Sequence, residues 1–166
     1  MDAADEIVVI VDAQNNVVGA MPRWEMRAKR LPHRSTYILV FDSKGDLYVQ
    51  KRTMTKDVFP GYYDIAAGGV VLAGETYEQG AERELNEEMG IRGVPLTSLF
   101  DFYFENEHTC LWGRAFSCTY DGEIVLQPEE VESGAFVSIQ DILRRAETEP
   151  FTPDGLYVLR RYLAGR

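Results

Sequence analysis

Cysteine and histidine are scarce in this chain. Two cysteines, Cys110 and Cys118, and two histidines, His33 and His108, are spread over 166 residues. The cysteine spacing fits neither a redox pair nor a zinc knuckle. Both fall in a strand-like run at even spacing, which puts them on one face as small buried or half-buried side chains. Positive charge is also short. Lys and Arg number 17 against 27 Asp and Glu, for a formal net charge of −10. That balance argues against broad binding to nucleic-acid backbone, which takes a basic face. It leaves small anionic substrates open, because a bound metal and a few local cations hold a phosphate inside an acidic protein. No apolar run approaches the length of a membrane span. Residues 1–6 are acidic and lack the basic flank and apolar stretch of a signal peptide. The expectation is a soluble, cytoplasmic protein with neither a membrane nor a nucleic-acid partner.

What the chain does have is a composition that builds a core. It is 45% hydrophobic and 27% charged, ordinary for a globular protein of this length. No repeat, low-complexity segment or linker interrupts it, so one domain is expected over residues 1–166, with an N-terminal hairpin extension over about 1–32. Strands are expected at 7–11, 17–20, 36–41 and 47–50, with turn-prone residues between them. A short helix fits 23–29, ended before Pro32. Residues 53–61 read as a loop and 62–66 as a short extended run. Further strand-like runs cover 99–104 and 110–120. Ser138 and Asp141 cap a helix running to about 147, and Thr152-Pro153 opens a last one. Strands and helices in this order predict an α/β sandwich, with helices packed on a mixed sheet. The strand-rich N-terminus offers a surface for a homodimer.

The clearest helix follows Gly74. Thr76 and Gln79 form a capping box. Tyr77, Ala81, Leu85 and Met89 recur every four residues as one apolar stripe, and Gly90 stops the helix in the C-cap manner. Six glutamates, at 75, 78, 82, 84, 87 and 88, accompany a single basic residue, Arg83. Glu84, Glu87 and Glu88 share a face, where like charges cost roughly 0.2–0.5 kcal/mol per pair. A cation between them removes that penalty, and oxygen ligands suit a hard ion such as Mg²⁺ or Mn²⁺. Arg83 reaches either Glu87 or Glu75 and serves as a structural salt bridge. Gly80, inside the helix at a cost of about 1 kcal/mol against alanine, marks a close approach by a ligand or a strand.

These residues resemble a known pattern. Gly69, five residues, Glu75, seven residues, then Arg83-Glu84-Leu85-Asn86-Glu87-Glu88-Met89-Gly90-Ile91 resembles the Nudix box, with every fixed position present from 69 to 91. The resemblance implies a Nudix α/β/α sandwich and metal-dependent hydrolysis of a diphosphate, as in a nucleoside diphosphate linked to another group. By position, Glu84, Glu87 and Glu88 resemble metal ligands, with Glu84 also a candidate base. The Gly68 carbonyl resembles a backbone ligand, and Glu75 with Arg83 the structural ion pair. Glu130 lies in a region from which Nudix enzymes bring a further acidic residue, and is the alternative base.

Most of the chain is also similar to isopentenyl-diphosphate isomerase, a Nudix relative, through Val11-Asp12-Ala13-Gln14, His33, Lys44-Gly45, Arg52, Lys56, Pro60-Gly61, Glu105-Asn106-Glu107 and Glu129-Glu130-Val131. Arg52 and Lys56 align there with cations that hold the diphosphate. The isomerase's Cys-Gly-His run is here Ala67-Gly68-Gly69, and its upstream histidine ligand aligns with Met26. Only His33, Glu105 and Glu107 remain of its metal site; His108 beside them offers a weak second one. Its chemistry is therefore absent where it should lie, and hydrolysis is expected. An isomerase-like enzyme and a non-catalytic ligand-binding domain are the alternatives.

Overall fold

The computed structural model describes residues 2–165. Met1 and Arg166, counted above within the domain, lie outside them. In chain order the elements are β1 (Ile7–Val11), β2 (Val17–Pro22), α1 (Arg23–Lys29), β3 (His33–Phe41), β4 (Leu47–Arg52), β5 (Tyr63–Asp64), α2 (Tyr77–Met89), β6 (Thr97–Glu105), β7 (Cys110–Thr119), β8 (Val131–Val137), α3 (Ile139–Arg145) and α4 (Pro153–Ala164). The β-branched and aromatic run of β3 makes it the buried centre of the sheet. It pairs in parallel with β7, from His33 opposite Leu111 to Phe41 opposite Thr119. The other pairs, β1 with β2 and β3, β4 with β3, β5 and β8, and β6 with β7, are antiparallel. The sheet is mixed, as expected.

Alternation along β3 divides the core in two. Ile38 and Val40 meet the α2 stripe of Tyr77, Ala81, Leu85 and Met89. Tyr37 and Leu39 face the other way, toward Ile142 of α3 and Val158 and Leu159 of α4. Each such fully buried aliphatic side chain contributes about 1.5–3 kcal/mol. Helices on both faces of the sheet make the α/β/α sandwich. The capping box on α2 is formed in both directions between Thr76 and Gln79, and Gly90 closes the helix in the left-handed region at φ 68°.

Three elements differ from the sequence reading. β8 is unexpected: only Val131 of its seven residues is buried, so its sequence carries no alternation, and β4 alone defines it as a strand. The extended run at 62–66 shrinks to Tyr63–Asp64, while extended pairing resumes further on. Ala67 and Ile38 exchange hydrogen bonds, Thr36 donates to the Gly69 carbonyl and Val71 to the Arg34 carbonyl. Residues 67–71 are thus laid antiparallel on β3. Thr152 stands at the N-cap of α4 with Pro153 following, but its side chain makes no capping bond. Among the described residues no helix is long and apolar enough to cross a membrane.

Candidate active site

The pairing of residues 67–71 with β3 presses two glycines into place. Gly68 has φ 128°, and a Cβ there would stand 2.2 Å from the Thr36 carbonyl oxygen, so no other residue fits. A Cβ on Gly69 would stand 2.9 Å from Glu84 Oε1. The bare glycine is what lets the Glu84 carboxylate lie against the strand. A Cβ on Gly80 would meet Glu75 Oε1 at 3.4 Å, Val71 Cγ2 at 3.5 Å and Thr36 Cγ2 at 3.8 Å, all ordinary van der Waals distances. The close approach expected at Gly80 is therefore not found: it faces the sheet with room for a Cβ.

Arg83 gathers the acidic groups around it. It donates to both oxygens of Glu75, at 2.6 and 3.0 Å, and to Glu84 Oε1 at 2.9 Å and Glu87 Oε2 at 3.3 Å. Glu75 in turn accepts the Leu72 amide at 2.9 Å. The ion pair with Glu75 forms, and the same guanidinium also holds two of the expected metal ligands. Glu88 is turned inward and 4% exposed, and accepts the Gly68 amide at 2.8 Å. Burial first, and then the neighbouring Glu84 charge, push the Glu88 carboxyl up to about 8. Burial also raises Glu84, against the pull of Arg83.

Among the described residues no three His, Cys, Asp or Glu side chains converge on a point that would hold an ion. The donor set nevertheless fits a hard divalent cation. It consists of carboxylate oxygens crowded together, with the buried ones driven toward protonation. Arg83 takes one oxygen of Glu84 and one of Glu87, which leaves the second oxygen of each carboxylate to a cation.

The remaining site residues separate into two places. Glu130 is carried to α2 because the chain before it is tied there, Gln127 donating to the Glu88 carbonyl and Val125 to the Met89 carbonyl. It pairs with Lys56. Lys56, Glu130, Glu84, Glu87, Gly68 and Gly69 border one cavity of about 530 Å³. Arg52 does not. Its guanidinium donates to the carbonyls of Val58 and Phe59 and, at 3.5 Å, to Asp64. It holds the 53–61 loop in shape and lines a second, smaller cavity behind Gly68.

His33, Glu105, Glu107 and His108 do not assemble. His33 is 1% exposed, with Nδ1 donating to the Leu31 carbonyl at 3.0 Å. Burial, and Arg27 nearby, hold it neutral with a pKa of about 3. Glu105 pairs with Arg30, and His108 with Glu107. Sequence reading missed Arg23, which borders the large cavity and pairs with Glu6 and Asp57. It also missed Asp64, Thr152 and Asp154, which line the smaller one. Thr152 and Asp154 open α4, while Arg23 and Asp64 come from α1 and β5, so no one local spacing joins them.

The NUDIX domain model matches residues 31–160. An uncharacterized Nudix hydrolase of Yersinia pestis is 47% identical over 161 residues, covering 97% of this chain and 87% of that protein. The uncharacterized Nudix hydrolase YfcD of Escherichia coli K12 is 43% identical over 161 residues, covering 97% and 88%. Among solved structures, DR0079 from Deinococcus radiodurans superposes with a TM-score of 0.82 at 25% identity, over 94% of this chain and 98% of that one.

Proposed function

This chain belongs to the Nudix domain family, and we propose that it hydrolyses the diphosphate bond of a small diphosphate ester, such as a nucleoside diphosphate derivative, with Mg²⁺ or Mn²⁺. One observation carries the reading. Glu84 and Glu87 border one cavity together with Gly68, Gly69, Lys56 and Glu130, and the buried Glu88 is tied to the same glycine segment through the Gly68 amide. Glu84, Glu87 and Glu88 with the Gly68 carbonyl would hold the cation. When bound, that ion neutralises phosphoryl charge and makes a water acidic enough to be deprotonated.

The chain's own groups supply the rest. Glu84, made more basic by burial, takes the proton of the attacking water; Glu130 is the other carboxylate in reach of the cavity. Lys56 leaves Glu130 to pair with the diphosphate. Arg52 keeps the loop that carries Lys56 in register. The water oxygen bonds to one phosphorus, the bridging oxygen leaves with the other, and two phosphate monoesters result. An isomerase-like reaction is disfavoured because no thiol lies at the site. Ala67 stands where one would be needed, and Cys110 and Cys118 are buried in β7, with Cys110 Sγ donating to the Arg30 carbonyl.

The test is a panel of diphosphate esters assayed for monoester release in Mg²⁺, in Mn²⁺ and after chelation. Release that requires the metal and falls at least 100-fold in Glu84→Gln supports the reading. No turnover of any diphosphate by folded protein in either metal overturns it.

A further inference from the structure

Phe59 and Tyr62 are not core aromatics. Every other phenylalanine of the chain lies in, or packs against, the two core clusters on either side of β3, whereas Phe59 and its neighbour Tyr62 belong to neither. Both are half-buried, with ring centroids 5.3 Å apart and ring planes at 43°. Phe59 also holds φ 51°, left-handed backbone that a bulky side chain rarely adopts and that persists only where its surroundings impose it. Arg52 supplies that constraint by donating to the Val58 and Phe59 carbonyls, and the Tyr62 amide donates to the Phe59 carbonyl as well. The loop is braced to hold two rings outside the core.

These rings line a groove of about 410 Å³, with Val58 and Pro60 as apolar neighbours and Arg27, Asp57 and His108 as polar ones. That volume is in the range of small-ligand sites. Arg27, Val58 and Phe59 also border the cavity behind Gly68. Arg23, Lys56, Gly68 and Gly69 in turn border that cavity and the larger one beside Glu84 and Glu87. The three spaces follow one another: carboxylates, then cations, then aromatic rings. In the middle one Arg23, Arg27, Arg52 and Lys56 stand against Asp64 and Asp154, an excess of positive charge that suits phosphate.

A ligand whose diphosphate lies among the cations places its other end on the rings. An alkyl chain asks only for apolar walls, but here a hydrogen-bonding group accompanies them. Asp57 Oδ2 accepts from Arg23 and Arg27 at 3.2 and 3.0 Å, whereas Oδ1 accepts from Arg23 at 3.5 Å. Oδ1 keeps the capacity to take a ring N–H or an exocyclic amine. Aromatic faces beside such an acceptor fit a nucleobase, which stacks on one and donates to the other. We propose that Phe59 and Tyr62 form the seat for the base of a nucleoside diphosphate substrate, and so set its selection over alkyl diphosphates. The proposal rests on the diphosphatase reading and names the group at the far end of its substrate.

The test measures phosphate release from ADP, CDP, GDP and UDP, from ribose 5-diphosphate, which has the sugar and phosphates without a base, and from isopentenyl diphosphate. It is run on wild type, on Phe59→Leu, which keeps apolar bulk, and on Phe59→Tyr, which keeps the ring. The best nucleoside diphosphate should exceed ribose 5-diphosphate in kcat/KM by about tenfold or more, through KM. Phe59→Leu should lower that ratio by about fivefold or more and Phe59→Tyr should keep it, with melting temperatures showing that both fold. A wild-type ratio near one, a ratio untouched by Phe59→Leu, or isopentenyl diphosphate as the better substrate overturns the proposal. Calorimetric binding of the four nucleoside 5′-monophosphates and of ribose 5-phosphate separates the two readings. A monophosphate that binds about tenfold tighter than ribose 5-phosphate and weakens in Phe59→Leu, without turnover of any diphosphate, keeps the seat and removes the hydrolysis. Turnover of diphosphates with no such difference in binding does the reverse.

Discussion

The Glu88 carboxylate accepts the Gly68 amide at 2.8 Å, which joins the last turn of α2 to the glycine segment laid on β3. That single bond sets the helix's acidic face against the strand that supplies the Gly68 carbonyl. It also takes a carboxylate out of water, which is why its proton is held so strongly.

Glu88→Gln should therefore trade activity for stability. The folded pKa of about 8 lies above the ordinary 4.5. The stability this group contributes is full below 4.5 and is lost as pH rises through 8. Wild-type melting temperature should fall across that window. In Glu88→Gln the fall should flatten, the amide oxygen still accepting from Gly68, while diphosphate turnover drops about 100-fold or more. Melting curves from pH 5 to 8.5 beside a rate assay check both; full activity would remove Glu88 from the metal-binding set.

The two glycines should fail in different ways. Gly68→Ala places a Cβ 2.2 Å from the Thr36 carbonyl oxygen at φ 128°, a clash with backbone that cannot yield. It should cost more than about 1 kcal/mol and recover poorly from expression. Gly69→Ala meets only the end of the Glu84 side chain, at 2.9 Å. It should fold with little change in melting temperature and lose activity as Glu84 is displaced. Circular dichroism and turnover of the two variants side by side distinguish these outcomes.

Arg52 should prove a loop anchor before it proves a phosphate clamp. Its guanidinium serves the Val58 and Phe59 carbonyls and Asp64. Arg52→Ala leaves these acceptors short and should destabilise by about 1–3 kcal/mol. Arg52→Lys should not restore stability, because one ammonium cannot span the fork. Lys56→Ala, whose partner is Glu130 at the cavity edge, should instead raise KM with stability nearly unchanged. Denaturant titration with steady-state kinetics on the three variants reads the split.

Acid should unfold the protein through His33. Buried and neutral, it has a pKa of about 3 against the ordinary 6.5. Unfolded chains bind its proton first, so the stability is whole above 6.5 and is lost as pH falls toward 3. His33→Gln should flatten this limb of the stability profile, measured by urea titration between pH 7 and 4. An unchanged limb would place the acid sensitivity elsewhere.

How much of this was legible in the chain depends on the distance between partners. The α2 capping box, its apolar stripe and its Gly90 stop are contacts within four residues, and helical geometry converts spacing into faces. The Glu84, Glu87 and Glu88 face and the Glu75–Arg83 pair belong to the same local logic. β8 was illegible because a strand with one buried residue carries no alternation, and its identity comes from β4.

Sequence by itself thus determined the sandwich of helices on a mixed sheet, the family and the acidic face of α2. The sandwich and the acidic face follow from periodicities that the backbone imposes on neighbours, and the family from the resemblance carried by residues 69–91. Tertiary structure alone decided that Gly68 is clamped between Thr36 and Glu88, that Glu130 meets Lys56, that Arg52 turns inward, and that Asp64, Thr152 and Asp154 close on one small cavity. These partners come from segments with no common period. Only the packing of α2 and α4 on opposite faces of β3 brings them together.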